Sequence, residues 1–538
     1  MNPLLQVKNL SVSIGKSRPV DHVDFTLEQG KILGIAGESG SGKSLTALSV
    51  MGLLPHGAKR DGTADWTGFE GNDFDLFAQN EQEMQSLRGR SISMIFQEPM
   101  TALNPLMTIG DQVAEPFLIH GQMARQDAID AAAHLLERVG LPADHLSLKR
   151  YPHELSGGQR QRVMIAQAIA LKPKLLIADE PTTALDVITQ AGILDLLTRL
   201  VDEDDMAMML ITHDLAVLSN RCHDLVMMQN GRLVESGAAK AVLQHPKHPY
   251  TQSLMKASVY QPPSPIKSSP SSPLLLALRE ASLTYRTGNG VFDRSSAIEA
   301  VKKVSLSLHQ GESLGLVGAS GCGKSSLTRA ILGLHPLSHG AITLDGETII
   351  DGGKTAPPLS PAVRAKMQIV FQDPFGSFNP RHKVERLIRE PLHLLGRNHP
   401  SRDARDLAAE ALIDVGLSPD DQDKYIHEFS GGQRQRIAIA RALIIKPKLI
   451  ILDEAVSALD VSVRGQILDL LMRLKSTHHL AYLFISHDLN VVRSVSDHVA
   501  VMDQGQIIET GETAKVLSQP KHEVTQRLIA AIPQFLTQ

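Results

Sequence analysis

The sequence of 538 residues contains only two cysteines, Cys222 and Cys322. So few cysteines exclude a disulfide framework and an iron–sulfur or zinc site with four cysteine ligands. Aromatic residues make up only 4% of the chain, and its formal net charge is −4. Proteins that bind nucleic acid usually present a basic surface and aromatic rings that stack on bases, so this composition argues against that class.

Long apolar segments are also absent. No run of about 18 apolar residues occurs, so no membrane-spanning helix is expected. Residues 1–8 lack the basic start and the apolar segment of a secretory signal peptide. Hydrophobic residues account for 42% of the chain, which is an ordinary value for a soluble protein. These absences predict a cytoplasmic chain.

What the chain does contain is a long internal repeat. A Gly-x4-Gly-Lys-Ser run at residues 37–44 returns at 318–325, and a Ser-Gly-Gly-Gln run at 156–159 returns at 430–433. A repeat of this length indicates a duplicated domain rather than a short solenoid unit. The total length also fits two domains that are each large enough to bury a core.

The composition between the two copies predicts where they are joined. Residues 258–274 are rich in Pro and Ser and show no apolar periodicity, which is typical of a linker. We therefore predict a first domain at residues 1–257 and a second at 275–538, with enough slack between them for the two copies to face each other.

Short apolar runs predict the buried strands of each copy. Residues 31–36 and 313–317 precede the glycine-rich runs, and residues 175–178 and 449–452 follow Lys-Pro-Lys loops. Between these landmarks lies helical material: apolar residues at helical spacing precede Gly140 and Gly416, which are placed to end a helix. Each copy is therefore predicted to be an α/β domain with a parallel core, a β-rich start and an inserted helical subdomain.

A strand, a Gly-x4-Gly-Lys-Ser run and a helix in this order predict a phosphate-binding loop. The glycines allow backbone N–H groups to surround the phosphates, and the helix adds its positive end. Lys43 and Lys324 supply point charges, and the hydroxyls of Ser44 and Ser325 would bind Mg²⁺. The other loop residues are Gly37, Glu38, Ser39, Gly40, Ser41 and Gly42 in the first copy and Gly318, Ala319, Ser320, Gly321, Cys322 and Gly323 in the second.

A pair of carboxylates ends one apolar strand in each copy. These residues are Asp179 and Glu180 in the first copy and Asp453 and Glu454 in the second. Ligands of α/β folds bind at the carboxyl edge of the sheet. The first carboxylate of each pair suits Mg²⁺ or its waters, and the second can polarise an attacking water.

Together these motifs resemble the ATP-binding subunit of an ABC transporter. The resemblance also includes the Ala-Leu-Asp runs that end at Asp186 and Asp460 and the isolated histidines His213 and His487. It covers nearly the whole chain outside the linker. It implies two P-loop NTPase (ABC) domains that bind ATP and Mg²⁺, each with an antiparallel β part beside the parallel core.

The resemblance further implies roles for individual residues. Gln97 and Gln372 would contact Mg²⁺ and the attacking water, and His213 and His487 would contact the γ-phosphate. In that family two ATPs are held head to tail, so that the signature of one domain covers the ATP of the other. The signature residues here are Ser156, Gly157, Gly158 and Gln159 in the first copy and Ser430, Gly431, Gly432 and Gln433 in the second.

Two further segments are similar to those of dipeptide, oligopeptide and nickel importers. One is the run that follows each loop glutamine, at residues 97–105 and 372–380, in the region that would meet the membrane subunits. The other is His-Pro-Lys-His-Pro-Tyr-Thr at residues 245–251, which the second copy keeps only in part at 519–525. Two fused domains of this kind resemble the ATPases of microcin C/oligopeptide and glutathione importers.

This resemblance implies partners and a location. The chain would power two integral-membrane permease subunits from the cytoplasmic face of the inner membrane, with a periplasmic binding protein delivering the solute. Importers of nickel or of another small solute remain an alternative, since they differ only in their partners. A soluble tandem ABC ATPase that acts on ribosomes or DNA is a second alternative, which the charge and the few aromatics disfavour.

One position is expected to distinguish the two sites. Tyr285 lies near the end of the first strand of copy two, where many relatives place a ring that stacks on adenine. Aligning residues 10–14 with 281–285 places Ile14 at the same position in copy one. We expect Ile14 to cover the base with its aliphatic surface and to hold it less tightly.

Overall fold

The computed structural model describes residues 3–69, 72–121, 123–144, 146–183, 185–258, 272–287, 296–353, 358–374, 376–396, 401–457, 459–533 and 535. Most of the predicted linker (259–271) and the alanines of the two Ala-Leu-Asp runs, Ala184 and Ala458, lie outside these residues. The chain divides into two compact units, which consist mainly of Met1–Leu185 with Thr189–Val259 and of Tyr260–Ile532.

In its described residues the first unit has ten strands and ten α-helices. The strands are β1 (Leu5–Ile14), β2 (Ser17–Leu27), β3 (Ile32–Ala36), β4 (Ala58–Phe69), β5 (Asn72–Asp75), β6 (Ile92–Ile95), β7 (Leu175–Asp179), β8 (Ala207–Ile211), β9 (Asp224–Gln229) and β10 (Arg232–Ala238). The helices are α1 (Lys43–Met51), α2 (Glu81–Leu87), α3 (Pro99–Ala102), α4 (Ile109–Ile119), α5 (Arg125–Arg138), α6 (Gly157–Ala168), α7 (Val187–Asp204), α8 (Leu215–Arg221), α9 (Ala239–Gln244) and α10 (Pro249–Ser258).

Two sheets form the first unit. A four-stranded antiparallel sheet has the order β2-β1-β4-β5, and a six-stranded sheet has the order β10-β9-β3-β8-β7-β6. The pairings within the larger sheet are parallel except that of the edge strand β10 with β9. The predicted parallel core and antiparallel part are thus both present.

The larger sheet, apart from its edge strand β10, is buried on both faces, as the apolar composition of its strands predicts. Successive side chains of β7 alternate between two apolar cores. Leu176 and Ala178 join the core that includes the helical subdomain, whereas Leu175 and Ile177 join the core shared with the antiparallel sheet. The second core also contains Trp66, the only tryptophan of the chain, which is fully buried.

The second unit repeats this plan. Its strands are β11 (Leu274–Thr287), β12 (Ser296–His309), β13 (Ser313–Val317), β14 (His339–Leu344), β15 (Glu347–Asp351), β16 (Met367–Val370), β17 (Leu449–Asp453), β18 (Ala481–Ser486), β19 (His498–Asp503) and β20 (Gln506–Glu512). Its helices are α11 (Lys324–Ile331), α12 (Pro361–Lys366), α13 (Val384–Arg389), α14 (Ser401–Asp414), α15 (Gly431–Leu443), α16 (Val461–His478), α17 (Leu489–Val495), α18 (Thr513–Ser518) and α19 (Glu523–Ala530).

The sheets of the second unit have the orders β12-β11-β14-β15 and β16-β17-β18-β13-β19-β20. Read from the opposite edge, the larger sheet has the same order as its counterpart in the first unit. The predicted helix ends are confirmed as well. Helix α5 stops just before Gly140, which has a φ of 81°, and α14 stops just before Gly416, with a φ of 74°; both values lie in the left-handed region that glycine tolerates best.

This topology explains why distant motifs meet. In the first unit β3, β8, β7 and β6 are parallel neighbours, so the segments that follow them leave the same edge of the sheet. Those segments carry Lys43, His213, Glu180 and Gln97, respectively.

Candidate functional site

The glycine-rich loop of the first unit joins the end of β3 to the start of α1. Gly42 precedes the helix with a φ of 100°, and Gly37 has a φ of 155°. A Cβ atom on Gly37 would lie 2.2 Å from the carbonyl oxygen of Met228, so no other residue fits there. Gly40 has open space around its Cα. The loop is thus tightly packed at its base and open at its crest, as a phosphate cradle requires.

Lys43 and Asp179 bring opposite charges to the base of this loop. The buried Lys43 donates hydrogen bonds from Nζ to the carbonyl oxygens of Gly37 and Glu38, both at 2.8 Å. Asp179 is 5% exposed, and its Oδ1 atom has no hydrogen-bond partner. Burial raises the pKa of Asp179, and the nearby Glu180 raises it further, although a hydrogen bond from Ser44 opposes the shift. A buried, partly unsatisfied carboxylate beside a serine hydroxyl suits a hard cation such as Mg²⁺.

Glu180 is the centre of a hydrogen-bonded group at the end of β7. Its Oε2 atom accepts bonds from Gln97 Nε2 and Thr183 Oγ1, both at 2.8 Å, and its Oε1 atom lies 3.3 Å from His213 Nδ1. Burial tends to raise the pKa of Glu180, but the bond and charge of His213, helped by Thr183, lower it to about 2. Glu180 is therefore an oriented, ionised acceptor at neutral pH.

The backbone of Glu180 is also unusual. Its φ is 45°, and that of Glu454, the corresponding carboxylate of the second unit, is 49°. Such angles cost energy for any residue other than glycine and cluster at functional sites. Both units therefore hold this carboxylate in the same strained conformation.

The second unit contains the same lysine contacts and carboxylate–histidine pair. Lys324 Nζ donates to the carbonyl oxygens of Gly318 and Ala319 at 2.7 and 2.9 Å. The Nδ1 atom of His487 lies 3.2 Å from Oε1 of Glu454. Burial tends to raise the pKa of Glu454, but the bond and charge of His487, together with the charge of Lys324, lower it on balance. Burial raises the pKa of Asp453, as it does for Asp179.

Two contacts differ between the carboxylate groups. Ser457 follows Glu454 at the position that Thr183 has after Glu180, but its hydroxyl donates to the backbone carbonyl of Glu454, at 2.9 Å. Gln372 follows β16 as Gln97 follows β6, yet among the described residues no hydrogen bond joins it to Glu454. The first unit thus holds its carboxylate with two more side-chain bonds than the second.

Each Ser-Gly-Gly-Gln run starts a helix. Ser156 Oγ accepts a bond from the Gln159 backbone N–H at 3.3 Å, and Gln159 Oε1 accepts one from the Ser156 N–H at 2.9 Å. Ser430 and Gln433 form the same reciprocal capping box at 3.4 and 3.0 Å. These bonds fix the start of α6 and α15.

Comparison with known proteins identifies the family. The ABC transporter family matches residues 20–183 and 301–457, which include both phosphate loops and both carboxylate pairs. The chain belongs to the ABC transporter family. A second family, described as the oligopeptide/dipeptide transporter C-terminal region, matches residues 234–273 of this ABC protein.

Two relatives match nearly the whole ABC chain. The peptidoglycan transport ATP-binding protein YejF of Agrobacterium fabrum is 43% identical over 536 residues, which cover 98% of this chain and 96% of that protein. The glutathione import ATP-binding protein GsiA of Escherichia coli is 42% identical over 561 residues, which cover 98% of this chain and 89% of that protein. The similarity to both relatives thus extends over both units of this chain.

Tyr285 lies beside the second phosphate loop of this ABC protein. Its hydroxyl donates to Ser326 Oγ at 3.2 Å, one residue beyond the loop, and its ring meets His335 edge-on at 5.4 Å between centroids. The side chain of Ile14 is 36% exposed.

A contact that both units share supports the view that Ile14 and Tyr285 occupy equivalent positions. Three residues before each of them a serine accepts a hydrogen bond from the neighbouring strand. Ser11 Oγ accepts the N–H of His22 at 3.1 Å, and Ser282 Oγ accepts that of Lys303 at 2.9 Å.

Sequence reasoning missed two contacts of the ABC site. Thr183 was not singled out, although its position three residues after the carboxylate in a tight turn could have indicated a side-chain bond. Tyr250 belongs to the run at residues 245–251, and its hydroxyl lies 2.9 Å from the backbone nitrogen of Glu38 in the phosphate loop. The sequence carries no signal for this second contact.

Among the residues that the structure describes, no group of three or more His, Cys, Asp or Glu side chains could hold a metal ion. None of the described helices is long and apolar enough to cross a membrane.

Proposed function

We propose that this ABC protein is the ATP-hydrolysing subunit of an importer for peptides or peptide-like solutes. The observation that carries the proposal is the match to the oligopeptide/dipeptide transporter C-terminal region, which begins within the C-terminal part of the first unit. The names of the two relatives, a peptidoglycan transporter and a glutathione importer, support a solute that contains peptide bonds.

Each unit would hold one ATP with Mg²⁺. In the first unit Lys43 and the loop 37–42 hold the phosphates, while Ser44, Asp179 and Gln97 hold the metal. In the second unit Lys324 and the loop 318–323 hold the phosphates, while Ser325, Asp453 and Gln372 hold the metal. The unsatisfied Oδ1 of Asp179 supports this assignment. When bound, the metal neutralises charge on the transferred phosphoryl group.

Glu180 and Glu454 would orient and polarise the water that attacks the γ-phosphate. Their lowered pKa values keep them ionised at pH 7, so that each can accept a hydrogen bond from water. His213 and His487, on the other side of each carboxylate, would contact the γ-phosphate. Because hydrolysis depends on positioning and electrostatics more than on covalent chemistry, these oriented groups account for most of the catalysis.

We further propose that the two sites are composite. Site one would pair Lys43 and Glu180 with residues 430–433, and site two would pair Lys324 and Glu454 with residues 156–159. The capping boxes support this role, because they leave the start of α6 and α15 well ordered, and a helix start favours a phosphate.

The partners would be two integral-membrane permease subunits, and the chain would lie on the cytoplasmic face of the inner membrane. A periplasmic binding protein would deliver the solute to the permease. The run after Gln97, which includes α3, would meet one permease subunit, and the run after Gln372 would meet the other.

The test is solute uptake in the native cell after deletion of the gene. Uptake of labelled di- and oligopeptides and of glutathione should be lost, then restored by the parent chain but not by a Glu180→Gln, Glu454→Gln double variant. Co-purification from the membrane should identify the permease subunits. Loss of nickel uptake with unchanged peptide uptake would contradict the peptide assignment, and recovery with ribosomes instead of membrane proteins would contradict transport.

A further inference from the structure

A hydrogen bond links the C-terminal element of the first unit to its own phosphate loop. Tyr250, near the start of α10, accepts a bond at its hydroxyl oxygen from the backbone N–H of Glu38, with an N–O distance of 2.9 Å. The tyrosine is 9% exposed, and its ring belongs to the apolar core that includes the helical subdomain. The element that matches the transporter C-terminal region therefore touches the ATP site itself.

Side chains of the same element place Tyr250. The carboxylate of Glu235, in β10, accepts the backbone N–H groups of Lys247 and His248 at 2.8 and 3.1 Å. The ring nitrogen Nδ1 of His248 then accepts the N–H of Tyr250 at 3.2 Å. The turn before α10 is thus anchored to the sheet, so the hydroxyl has a defined position.

The bond fixes one residue of the loop from two sides. The N–H of Glu38 binds Tyr250, and its carbonyl oxygen accepts the bond from Lys43 Nζ. Holding both polar groups of one residue reduces the conformations available to the loop before ATP binds, so less entropy is lost on binding.

The second unit has the same turn without the tyrosine. Glu509 accepts the N–H groups of Lys521 and His522 at 2.9 and 3.1 Å, and His522 Nδ1 accepts the N–H of Val524 at 3.2 Å. Val524 therefore occupies the position of Tyr250 but has no hydroxyl, and Ala319 occupies that of Glu38. The turn is common to both units, whereas the contact with the loop belongs to the first.

We propose that Tyr250 is a positioning residue for the first ATP site: it preorganises the phosphate loop and thereby tightens nucleotide binding at Lys43. The proposal rests on the proposed function, in which this loop binds ATP. It predicts that the C-terminal element contributes to ATP affinity in the first unit only.

The test uses Tyr250→Phe, which keeps the ring and removes the hydroxyl. ATP binding is titrated in the full chain with the second site disabled by Lys324→Ala, and separately with the first site disabled by Lys43→Ala. Loss of one hydrogen bond should weaken binding at the first site by roughly two- to tenfold. Binding at the second site should not change.

Kinetics distinguish positioning from a structural defect. In the chain with both sites intact, Tyr250→Phe should raise KM for ATP and leave kcat within about twofold, since the side-chain hydrogen bonds of Glu180 are with Gln97, Thr183 and His213. Tyr482→Phe is the matched control, because it removes another buried tyrosine hydroxyl, bound to the Leu471 carbonyl at 2.9 Å. The control should lower Tm without changing affinity at the first site.

Two outcomes would overturn the inference: unchanged affinity at the first site in Tyr250→Phe, or an equal loss at both sites. Trp66 fluorescence verifies that the first unit is folded in each variant. If the Lys324→Ala chain binds no ATP even with Tyr250 present, the proposed function fails instead. The two failures are therefore distinguishable.

Discussion

The side-chain nitrogen of Gln97 lies 2.8 Å from Oε2 of Glu180, so the segment after β6 is bonded directly to the strand-end carboxylate. The run that starts at Gln97 is the one proposed to meet a permease subunit. A shift of this segment would move a hydrogen-bond donor of Glu180. The contact thus offers a short physical route between solute transport and ATP hydrolysis.

Replacing both Glu180 and Glu454 with Gln should stop hydrolysis while ATP still binds. Gln keeps the size of the side chain and much of its hydrogen bonding but cannot accept a proton from the attacking water. We expect turnover to fall by roughly a thousandfold or more, with ATP binding retained. Phosphate release and equilibrium ATP binding measure the two properties. Turnover within about threefold of the parent would show that these carboxylates are not the groups that polarise the water.

The stability contributed by Glu180 should depend on pH in a defined direction. Its pKa is lowered from 4.5 to about 2, so the stabilisation is present above the unfolded value and is lost as pH falls. The stability difference between the parent and Glu180→Gln should be constant from pH 7 to about 5.5 and shrink by roughly 1 kcal/mol at pH 4.

Denaturation followed by the fluorescence of Trp66 measures this difference, because the only tryptophan lies in the same unit as Glu180. Asp179→Asn serves as a comparison, because the stability that Asp179 contributes should change with pH in the opposite direction. The pKa of Asp179 is raised above 3.8, so its contribution is present at low pH and is lost as pH rises. A Glu180 difference that grows instead of shrinking as pH falls from 5.5 to 4 would mean that burial dominates and the pKa is raised.

Ser430→Arg should block hydrolysis at the site of Lys43 if the signatures act across the two units. The arginine would also remove the N-cap of α15, so Ser156→Arg, with the same loss at α6, is the control. Photolabelling with an azido-ATP and separation of the two halves should show the first defect at the Lys43 site for Ser430→Arg. The Ser156→Arg control should show the first defect at the Lys324 site. The reverse assignment would exclude head-to-tail pairing.

The two sites should differ in affinity because Tyr285 has Ile14 as its counterpart. Stacking of an aromatic ring on a base contributes roughly 1–3 kcal/mol, and aliphatic packing should recover part of it. A deficit of about 1 kcal/mol corresponds to roughly fivefold weaker binding at the first site. Ile14→Tyr should tighten the first site and Tyr285→Ile should weaken the second. Equal affinities in the parent chain, with Lys43 or Lys324 replaced in turn, would contradict this prediction.

The fold and most of the candidate site could be predicted from local sequence patterns. The strand before Lys43, the capping boxes at Ser156 and Ser430 and the helix end at Gly140 all depend on residues within one or two turns of the chain. Their backbone geometry follows from glycine conformation, capping chemistry and apolar periodicity, which can be read from neighbouring letters. The order of the duplicated motifs along the chain was then enough to predict corresponding carboxylates and histidines in the two units.

Only the tertiary structure decided which distant side chains share a hydrogen bond. Glu38 and Tyr250 are separated by 212 positions, and Gln97 and Glu180 by 83. Each bond requires two atoms to approach within about 3 Å, a distance that depends on strand order, on the turn anchored by Glu235 and on side-chain rotamers. Spacing along the chain does not encode these variables. The sequence by itself therefore determined two similar sites that differ at Ile14 and Tyr285, whereas only the packing of the folded chain decided which further hydrogen bonds the first site has.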